Sequence, residues 1–200
     1  MAIGSCRLVG LDGTHGVGKT SAALALTSKL QARGFVARCV PEVVRTSPYF
    51  DQGTLRWPGP AGELDVFGEQ IAAEQRAAIG CEVLICDRTV LSAIAYWQAR
   101  VTRGRNSETA LLRAAVAFAR AYARLYDLFF LMNVPLSGAP ADDGFRVRDP
   151  AFQAQMANRM RSLCQKLDVA AEPLPLAESP DATADRMILR IDQAGWRPDH

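Results

Sequence analysis

The stretch Gly13-Thr14-His15-Gly16-Val17-Gly18-Lys19-Thr20 fits the pattern G-x-x-x-x-G-K-[ST] of a phosphate-binding loop. The short apolar segment from Cys6 to Leu11 predicts a β-strand before it, and Ser21 to Leu26, rich in good helix formers, predicts a helix after it. The motif requires a strand, a glycine loop and a helix N-terminus in this order. A glycine-rich turn that matches by chance is the alternative, but it explains neither flanking element.

Each residue type in this loop suits phosphate binding. Glycine allows backbone torsions that are closed to other residues, so main-chain N–H groups can approach phosphate oxygens at the positive end of a helix. Lys19 can reach the β- and γ-phosphates of a nucleotide, and Thr20 can ligate Mg²⁺. The predicted nucleotide-binding residues are Gly13, Thr14, His15, Gly16, Val17, Gly18, Lys19, Thr20 and Ser21.

Length and composition predict one α/β domain spanning residues 1–200, with 49% hydrophobic residues available for a core. The net charge of +2 does not suggest a nucleic-acid partner, and no apolar run is long enough for a membrane span. The cysteine count is odd, with five and no C-x-x-C pair, which favours the reducing cytoplasm over a disulfide framework or a zinc site. The oligomeric state stays open, and a homodimer is compatible with the sequence.

A second strand is predicted from Phe35 to Val40, and it is followed by Pro41 and Glu42. A carboxylate just past the carboxyl end of a strand lies on the side of an open sheet where ligands bind. Glu42 is therefore a candidate to orient or deprotonate an acceptor hydroxyl group. Arg45 is a candidate substrate contact. A solvated loop acid and an ordinary surface charge remain the alternatives.

Residues 46–80 are predicted to form an insertion on the substrate side of the domain. Its first part, 46–62, contains three prolines and three glycines and predicts a loop over the site, in which Trp57 either contacts substrate or pins the loop. From Glu63 to Ile79 the apolar spacing predicts a helix. Phe67 and Gln70 lie one turn apart on it and could together hold a planar base, although an exposed glutamine is an equal alternative.

The third predicted strand, from Glu82 to Cys86, is continuously apolar and leads into Asp87, Arg88 and Thr89. Asp87 can hold Mg²⁺ or its bound water, and Arg88 can bind phosphate oxygens in a bidentate manner. Alternatively, Thr89 caps the next helix with Asp87 beside it, which leaves Arg88 unexplained.

The remaining chain predicts further helices and strands around a polar segment. In this region the core is expected to contain Tyr96 and Trp97, both on the helix predicted over Val90–Val101. The other predicted elements are a helix from Ser107 to about Leu125, a strand over Tyr126–Met132, a helix over Ala151–Lys166, an edge-like strand over Pro173–Leu176 and a helix over Asp181–Ala194.

Residues 137–150, between the fourth strand and the next helix, predict a mobile lid. This segment contains Arg146 and Arg148, which can neutralise a transferring phosphoryl group when such a lid closes. A solvated loop with an Asp–Arg ion pair is the alternative.

Taken together, these motifs resemble the AAA-type P-loop kinases related to the ribosylnicotinamide kinase domain, within the wider group of nucleoside and nucleotide (thymidylate-like) kinases. The resemblance runs from about Arg7 to Lys166. Its carrying residues are Gly13 to Thr20, Pro41-Glu42-Val43-Val44-Arg45, Cys86-Asp87-Arg88-Thr89 with Ala95-Tyr96, and Asp142-Asp143-Gly144-Phe145-Arg146.

This resemblance implies a three-layer P-loop NTPase fold, with a five-stranded parallel sheet, helices on both faces and a lid. It implies ATP and Mg²⁺ as the phosphoryl donor, and a small-molecule acceptor near Glu42, Arg45 and the pair Asp87-Arg88. Ser92 departs from the pattern, because an acidic residue is expected a few positions after that pair.

The resulting hypothesis is an ATP- and Mg²⁺-dependent kinase acting on a nucleoside, a nucleotide or a related small molecule. The predicted catalytic residues are Lys19, Glu42, Asp87, Arg88, Arg146 and Arg148. The predicted metal ligands are Thr20 and Asp87. The predicted substrate-binding residues are Glu42, Arg45, Trp57, Phe67, Gln70 and Arg88.

Two other hypotheses stay open at this point. The chain could be a nucleotide-dependent regulatory ATPase or GTPase switch, although it lacks the guanine-reading sequence N-K-x-D. It could also be a resistance-type kinase that phosphorylates a nucleoside antibiotic, which the loop around Trp57 permits. A switch would hydrolyse nucleotide slowly whatever acceptor is present, whereas a kinase needs an acceptor.

Overall fold

The computed structural model describes residues 6–14, 16–49, 59–101, 106–132, 150–175 and 179–199, without the side chains of residues 106, 107 and 150. The described strands are β1 (Arg7–Gly13), β2 (Ala37–Val40), β3 (Val83–Asp87), β4 (Tyr126–Met132) and β5 (Ala171–Leu174). The described α-helices are α1 (Lys19–Ala32), α2 (Pro60–Ala77), α3 (Val90–Arg100), α4 (Asn106–Tyr122), α5 (Pro150–Leu167) and α6 (Pro180–Gln193). Short 3₁₀ helices span Val43–Thr46 and Ala123–Leu125.

These strands form one parallel sheet in the order β2-β3-β1-β4-β5. The sheet is covered on both faces, because β3 is buried along its whole length and its side chains alternate between two apolar clusters. Val83 and Ile85 pack in the cluster formed with α1 and α6, whereas Leu84 and Cys86 pack in the cluster formed with α2 to α5. The predicted three-layer arrangement with a five-stranded parallel sheet is confirmed.

The predicted ends of several elements were wrong, those of α2 and β5 among them. Helix α2 begins at Pro60 rather than at Glu63, because a proline is well accommodated in the first turn of a helix and so marks a start. Strand β5 begins at Ala171 rather than at Pro173. It lies at the edge of the sheet beside β4, which is where a proline within a strand is tolerated.

Strands β1, β2 and β3 are parallel neighbours, so their carboxyl ends lie along one edge of the sheet. This edge brings together the loop after β1, Glu42 after β2 and Asp87 at the end of β3. In open α/β sheets ligands bind at this edge. Within the described part of the chain, no helix combines the length and apolarity that a membrane span needs.

Candidate active site

The loop between β1 and α1 adopts a conformation that only glycine accommodates. Gly13 has a φ of 146°, and a Cβ atom on it would lie 2.6 Å from the carbonyl oxygen of Met132 on β4. Gly18, the residue before α1, has a φ of 82°, in the left-handed region. The chain therefore turns tightly against β4 and presents the N-terminus of α1 as the signature predicts.

Lys19, Thr20 and Asp87 meet at this helix N-terminus. Lys19 is buried, and its ammonium group donates a hydrogen bond to the carbonyl oxygen of Thr14. Burial and then the nearby Arg88 guanidinium lower the pKa of Lys19 to about 7, against the carboxylates around it. The hydroxyl group of Thr20 donates to Asp87 Oδ2 at 2.5 Å, which brings the two predicted metal ligands into contact.

The donor set of this pair fits Mg²⁺. A hydroxyl and a carboxylate oxygen are hard ligands, and Mg²⁺ commonly takes few protein ligands beside phosphate oxygens and water. Among the residues that the structure describes, no cluster of three or more His, Cys, Asp or Glu side chains could hold a metal unaided. A metal at Thr20 and Asp87 would therefore depend on the nucleotide phosphates for further ligands.

Asp12, the residue before the loop, was not predicted as part of the site. It is fully buried at the end of β1 and accepts hydrogen bonds from Thr89 Oγ1 at 2.6 Å and from the hydroxyl group of Ser92. Burial raises the pKa of Asp12 despite these hydrogen bonds and the positive charges of Arg88 and Lys19. Ser92, where an acid was expected, is thus hydrogen-bonded to a buried acid of β1.

Thr89 has two roles at the start of α3. Its side-chain oxygen accepts a hydrogen bond from the backbone N–H of Leu91 at 3.1 Å, so it is the N-cap of α3. Its hydroxyl proton goes to Asp12. The capping alternative for Thr89 is therefore confirmed, and it coexists with Asp87 and Arg88 facing the loop.

Glu42 and Arg88 form an ion pair across the carboxyl ends of β2 and β3. Arg88 Nε donates to Glu42 Oε1, and Arg45 Nε donates to Glu42 Oε2 at 3.2 Å. Burial alone would raise the pKa of Glu42, but Arg88, Lys19 and Arg45 outweigh it and lower the pKa to about 2. Arg88 also has a φ of 80°, an uncommon conformation for a residue other than glycine.

A cavity of about 500 Å³, its open mouth included, lies beside this ion pair between α2 and α3. Two guanidinium groups lie against the ring of Tyr96 in its wall, that of Arg88 at 5.3 Å and that of Arg100 at 5.6 Å from the ring centroid. Arg100 in turn donates to the buried Glu63 at 3.0 Å. The lining residues are Glu42, Val43, Val44, Glu63, Val66, Gln70, Arg88, Thr89, Ser92, Ala93, Tyr96 and Arg100.

The predicted acceptor-binding residues are partly assembled here. Glu42, Arg88 and Gln70 line the cavity. Arg45 does not line it, but its exposed side chain forms an ion pair with Glu42. Phe67 does not line it, because its ring packs edge-on against Phe118 of α4, with 5.9 Å between ring centroids. The pairing of Phe67 with Gln70 around one base is therefore not the arrangement found.

Four predicted site residues lie outside the described residues: His15, Trp57, Arg146 and Arg148. Most of the predicted lid at 137–150 also lies outside them. In the loop itself Val17 is buried, whereas Ser21 is exposed in the first turn of α1.

Sequence reasoning missed Glu63, Tyr96 and Arg100 as cavity residues, and Tyr96 had been expected in the core with Trp97. Trp97 is in the core, but Tyr96 is only partly buried. Helical spacing is the feature of the sequence that could have placed these residues at the cavity. Glu63 lies seven residues before Gln70 on α2, and Arg100 lies four residues after Tyr96 on α3, so each pair shares a face of its helix.

A parallel sheet in this order, with a glycine loop after β1 that leads into α1 and a Lys-Thr pair facing an aspartate, defines a P-loop NTPase-like protein. The sequence matches the family described as an AAA domain over residues 8–179. The chain belongs to this family. No curated protein matches it significantly.

Solved structures with the same fold include two classes of protein. The NadR protein in complex with NAD and AMP-PNP superposes with a TM-score of 0.67 at 12% identity, covering 100% of this chain and 52% of NadR. NadR in complex with NR gives 0.69 at 15% identity, covering 100% and 54%. Deoxyadenosine kinase from M. mycoides, with products dCMP and a flexible dCDP bound, gives 0.65 at 12% identity, covering 94% and 100%.

At these identities the likeness is one of fold. The chain spans about half the length of the NadR chains that it matches. A shared fold hosts many functions, so this likeness alone assigns no chemical role to a residue of this chain.

Proposed function

We propose that this protein is an ATP- and Mg²⁺-dependent phosphotransferase that phosphorylates a hydroxyl group of a nucleoside or a related small molecule. The observation that carries the proposal is the position of Glu42. It lines the cavity and is paired with Arg88, which directly follows Asp87, and the carboxylate of Asp87 contacts Thr20 at the start of α1. A donor site and an acceptor cavity thus share one boundary.

On the donor side, Lys19 and the N–H groups of the loop would hold the β- and γ-phosphates of ATP. Thr20 and Asp87 would hold Mg²⁺, which neutralises charge on the phosphate oxygens when it is bound. The solved structures with this fold include one with AMP-PNP bound, which supports ATP as the donor.

On the acceptor side, Glu42 is suited to orienting a hydroxyl group rather than removing its proton early. With a pKa of about 2, its carboxylate is ionised at neutral pH and is a weak base. Phosphoryl transfer through a loose transition state needs little help from a base before the P–O bond forms. A hydrogen bond from the acceptor hydroxyl to Glu42 would fix the line of attack.

The charges of the cavity favour a neutral acceptor. Its two arginines are each joined to a carboxylate, Arg88 to Glu42 and Arg100 to Glu63, so the charges of the described lining residues cancel. A nucleoside monophosphate would bring further negative charge into a cavity whose described charges already cancel. Arg88, at the boundary with the loop, would stabilise charge on the transferring group, as would Arg146 and Arg148 in the proposed lid.

The test is acceptor-dependent turnover. ATP consumption is measured with a panel of ribo- and deoxyribonucleosides and of the corresponding monophosphates, and the products are identified by mass. We expect turnover only with an acceptor, and with a nucleoside in preference to its monophosphate. Slow hydrolysis that no acceptor changes would instead establish a nucleotide-dependent switch.

Glu42→Gln provides the matched test of the site. We expect it to lower kcat by about a hundredfold, because the hydroxyl loses its fixed partner and Arg88 its counter-charge. Nucleotide affinity should change little. The control is Glu69→Gln, which alters an exposed glutamate of α2 paired with Arg76. Equal rates in both variants would remove Glu42 from the mechanism.

A further inference from the structure

Gln70 is the one uncharged amide among the described residues that line the cavity, and its orientation is determined by its neighbours. It is almost fully buried on α2. Its Nε2 group donates to Glu74 Oε1 at 2.7 Å and to the carbonyl oxygen of Arg88 at 3.1 Å. An amide nitrogen has two protons, and a carboxylate and a carbonyl oxygen are acceptors, so both protons of Gln70 are engaged.

Glu74, one helical turn below Gln70, is fully buried. Besides the bond from Gln70, its two oxygens accept hydrogen bonds from the hydroxyl group of Tyr126 at 3.0 and 3.1 Å. If the amide of Gln70 were reversed, its oxygen would face the carboxylate of Glu74 and the carbonyl of Arg88. Two repulsive contacts would then replace two hydrogen bonds, so the reversed orientation is excluded while Glu74 is ionised.

From this geometry we infer that Glu74 is a positioning residue that holds the Oε1 atom of Gln70 toward the acceptor cavity, so that the cavity selects acceptors with an N–H donor on their planar group. The inference rests on the proposed function and specifies its substrate class. Gln70 can accept there but cannot donate, since its own protons are used. An amino-substituted nucleobase meets this requirement, whereas the same ring without its amino group does not.

The test compares pairs of nucleosides that differ by one amino group: adenosine with purine riboside, and cytidine with 2-pyrimidinone riboside. For the pair whose amino member is phosphorylated, we expect kcat/KM to favour that member by roughly tenfold to a hundredfold, since otherwise a buried acceptor stays unpaired. We call this ratio the amino preference. An amino preference near unity, or a best acceptor without an N–H donor, would overturn the inference.

Glu74→Gln tests the positioning role. Because an amide at position 74 can either donate to or accept from Gln70, the orientation is no longer enforced and the amino preference should fall to within about threefold of unity. Gln70→Met, which removes the oxygen, should have the same effect. The control Glu69→Gln, on an exposed turn of the same helix, should keep the full preference. Retention of the preference in Glu74→Gln would refute the role of Glu74.

A second measurement is the pH dependence of the amino preference. Burial raises the pKa of Glu74 to about 7, against its hydrogen bonds from Gln70 of α2 and Tyr126 of β4. Tyr122 of α4 and Cys86 of β3 also face this carboxyl group. A protonated Glu74 can donate to Gln70 Oε1. The amino preference of the unmodified protein should therefore weaken from about pH 8 to about pH 6, and that of Glu74→Gln should not change.

The outcomes distinguish the two proposals. If no nucleoside of either pair is phosphorylated and no acceptor changes the rate of ATP hydrolysis, the proposed function fails. If nucleosides are phosphorylated but the amino preference is absent, or does not depend on Glu74, the kinase stands and the inference about Gln70 and Glu74 fails.

Discussion

Nucleotide binding should be accompanied by proton uptake at Lys19. Without nucleotide, burial and the Arg88 charge lower the pKa of Lys19 to about 7, so near neutral pH much of the population carries a neutral amine. A triphosphate brings several negative charges into contact with this nitrogen and should restore a pKa near the ordinary value of about 10.4. The proton taken up would be the one missing from Lys19.

The size of this uptake follows from the two pKa values. With a pKa of about 7 before binding, roughly one tenth of the amines are neutral at pH 6, one half at pH 7 and three quarters at pH 7.5. If nearly all are protonated in the complex, uptake should rise from about 0.1 proton at pH 6 to about 0.75 at pH 7.5. It should approach one proton near pH 9.

Isothermal titration calorimetry measures this number directly. Binding of a non-hydrolysable ATP analogue with Mg²⁺ is recorded in buffers of different ionisation enthalpy, and the slope of heat against that enthalpy is the number of protons taken up. The control is Lys19→Arg, because arginine stays protonated in proteins and still binds phosphate. Protons from the analogue itself contribute to both proteins and cancel in the difference.

The test is the difference in proton uptake between the unmodified protein and Lys19→Arg. We expect it to follow a titration curve centred near pH 7. An uptake equal in both proteins across the whole range would show that Lys19 is already charged before binding. The account of its burial beside Arg88 would then be wrong.

Two further predictions concern stability. Gly10→Ala should lower the free energy of unfolding, measured in urea, by about 1–3 kcal/mol, because the new Cβ atom would lie 2.8 Å from Phe129 and 3.0 Å from Thr89. Gly68→Ala should raise the free energy of unfolding by about 0.5–1 kcal/mol, because Gly68 lies on α2 with open space around it. Because the pKa of Glu74 rises from 4.5 unfolded to about 7 folded, the native state binds more protons between these values and its stability should fall as pH rises. From about pH 5 to about pH 8 the unmodified protein should lose about 2.5 kcal/mol relative to Glu74→Gln, and a pH-independent difference would contradict the buried carboxylate.

The fold was largely accessible from the sequence because its determinants are local. The glycine loop needs a strand before it and a helix after it, and both are present in β1 and α1. The continuous apolar run of β3 predicted burial on both faces, as found. Errors fell at the ends of elements, at Pro60 and Ala171, where weak local preferences compete with tertiary contacts.

The site was accessible where its residues follow strands. Glu42 and Asp87 were predicted because parallel strands end at a common edge, an argument that needs no side-chain geometry. Asp12 was not predicted, because its hydrogen bonds from Thr89 and Ser92 depend on how the start of α3 packs against β1. The positions of these residues along the sequence do not show that they are close in space. The absence of an acid at position 92 was visible in the sequence, but the hydrogen bond from Ser92 to Asp12 was not.

The error at Phe67 has a geometric cause. Residues three apart on a helix differ by about 60° around its axis, so Phe67 and Gln70 need not share one ligand face. The face of α2 that lines the cavity carries Glu63, Val66 and Gln70, at the spacing i, i+3 and i+7. Phe67 is displaced from this face toward α4, where it meets Phe118.

These placements divide the proposed site by structural element. The residues proposed for phosphoryl transfer lie at or just after strand ends, as Glu42 and Asp87 do, or at the start of α1, as Lys19 and Thr20 do. Acceptor recognition is assigned to side chains on two helices. Glu74 belongs to neither set, because it does not line the cavity and is proposed to act through Gln70. A buried carboxylate costs stability unless its hydrogen bonds are satisfied, and here those bonds fix the orientation of the one uncharged amide among the described lining residues. On the proposal above, this buried carboxylate contributes conformational specificity at Gln70 rather than stability.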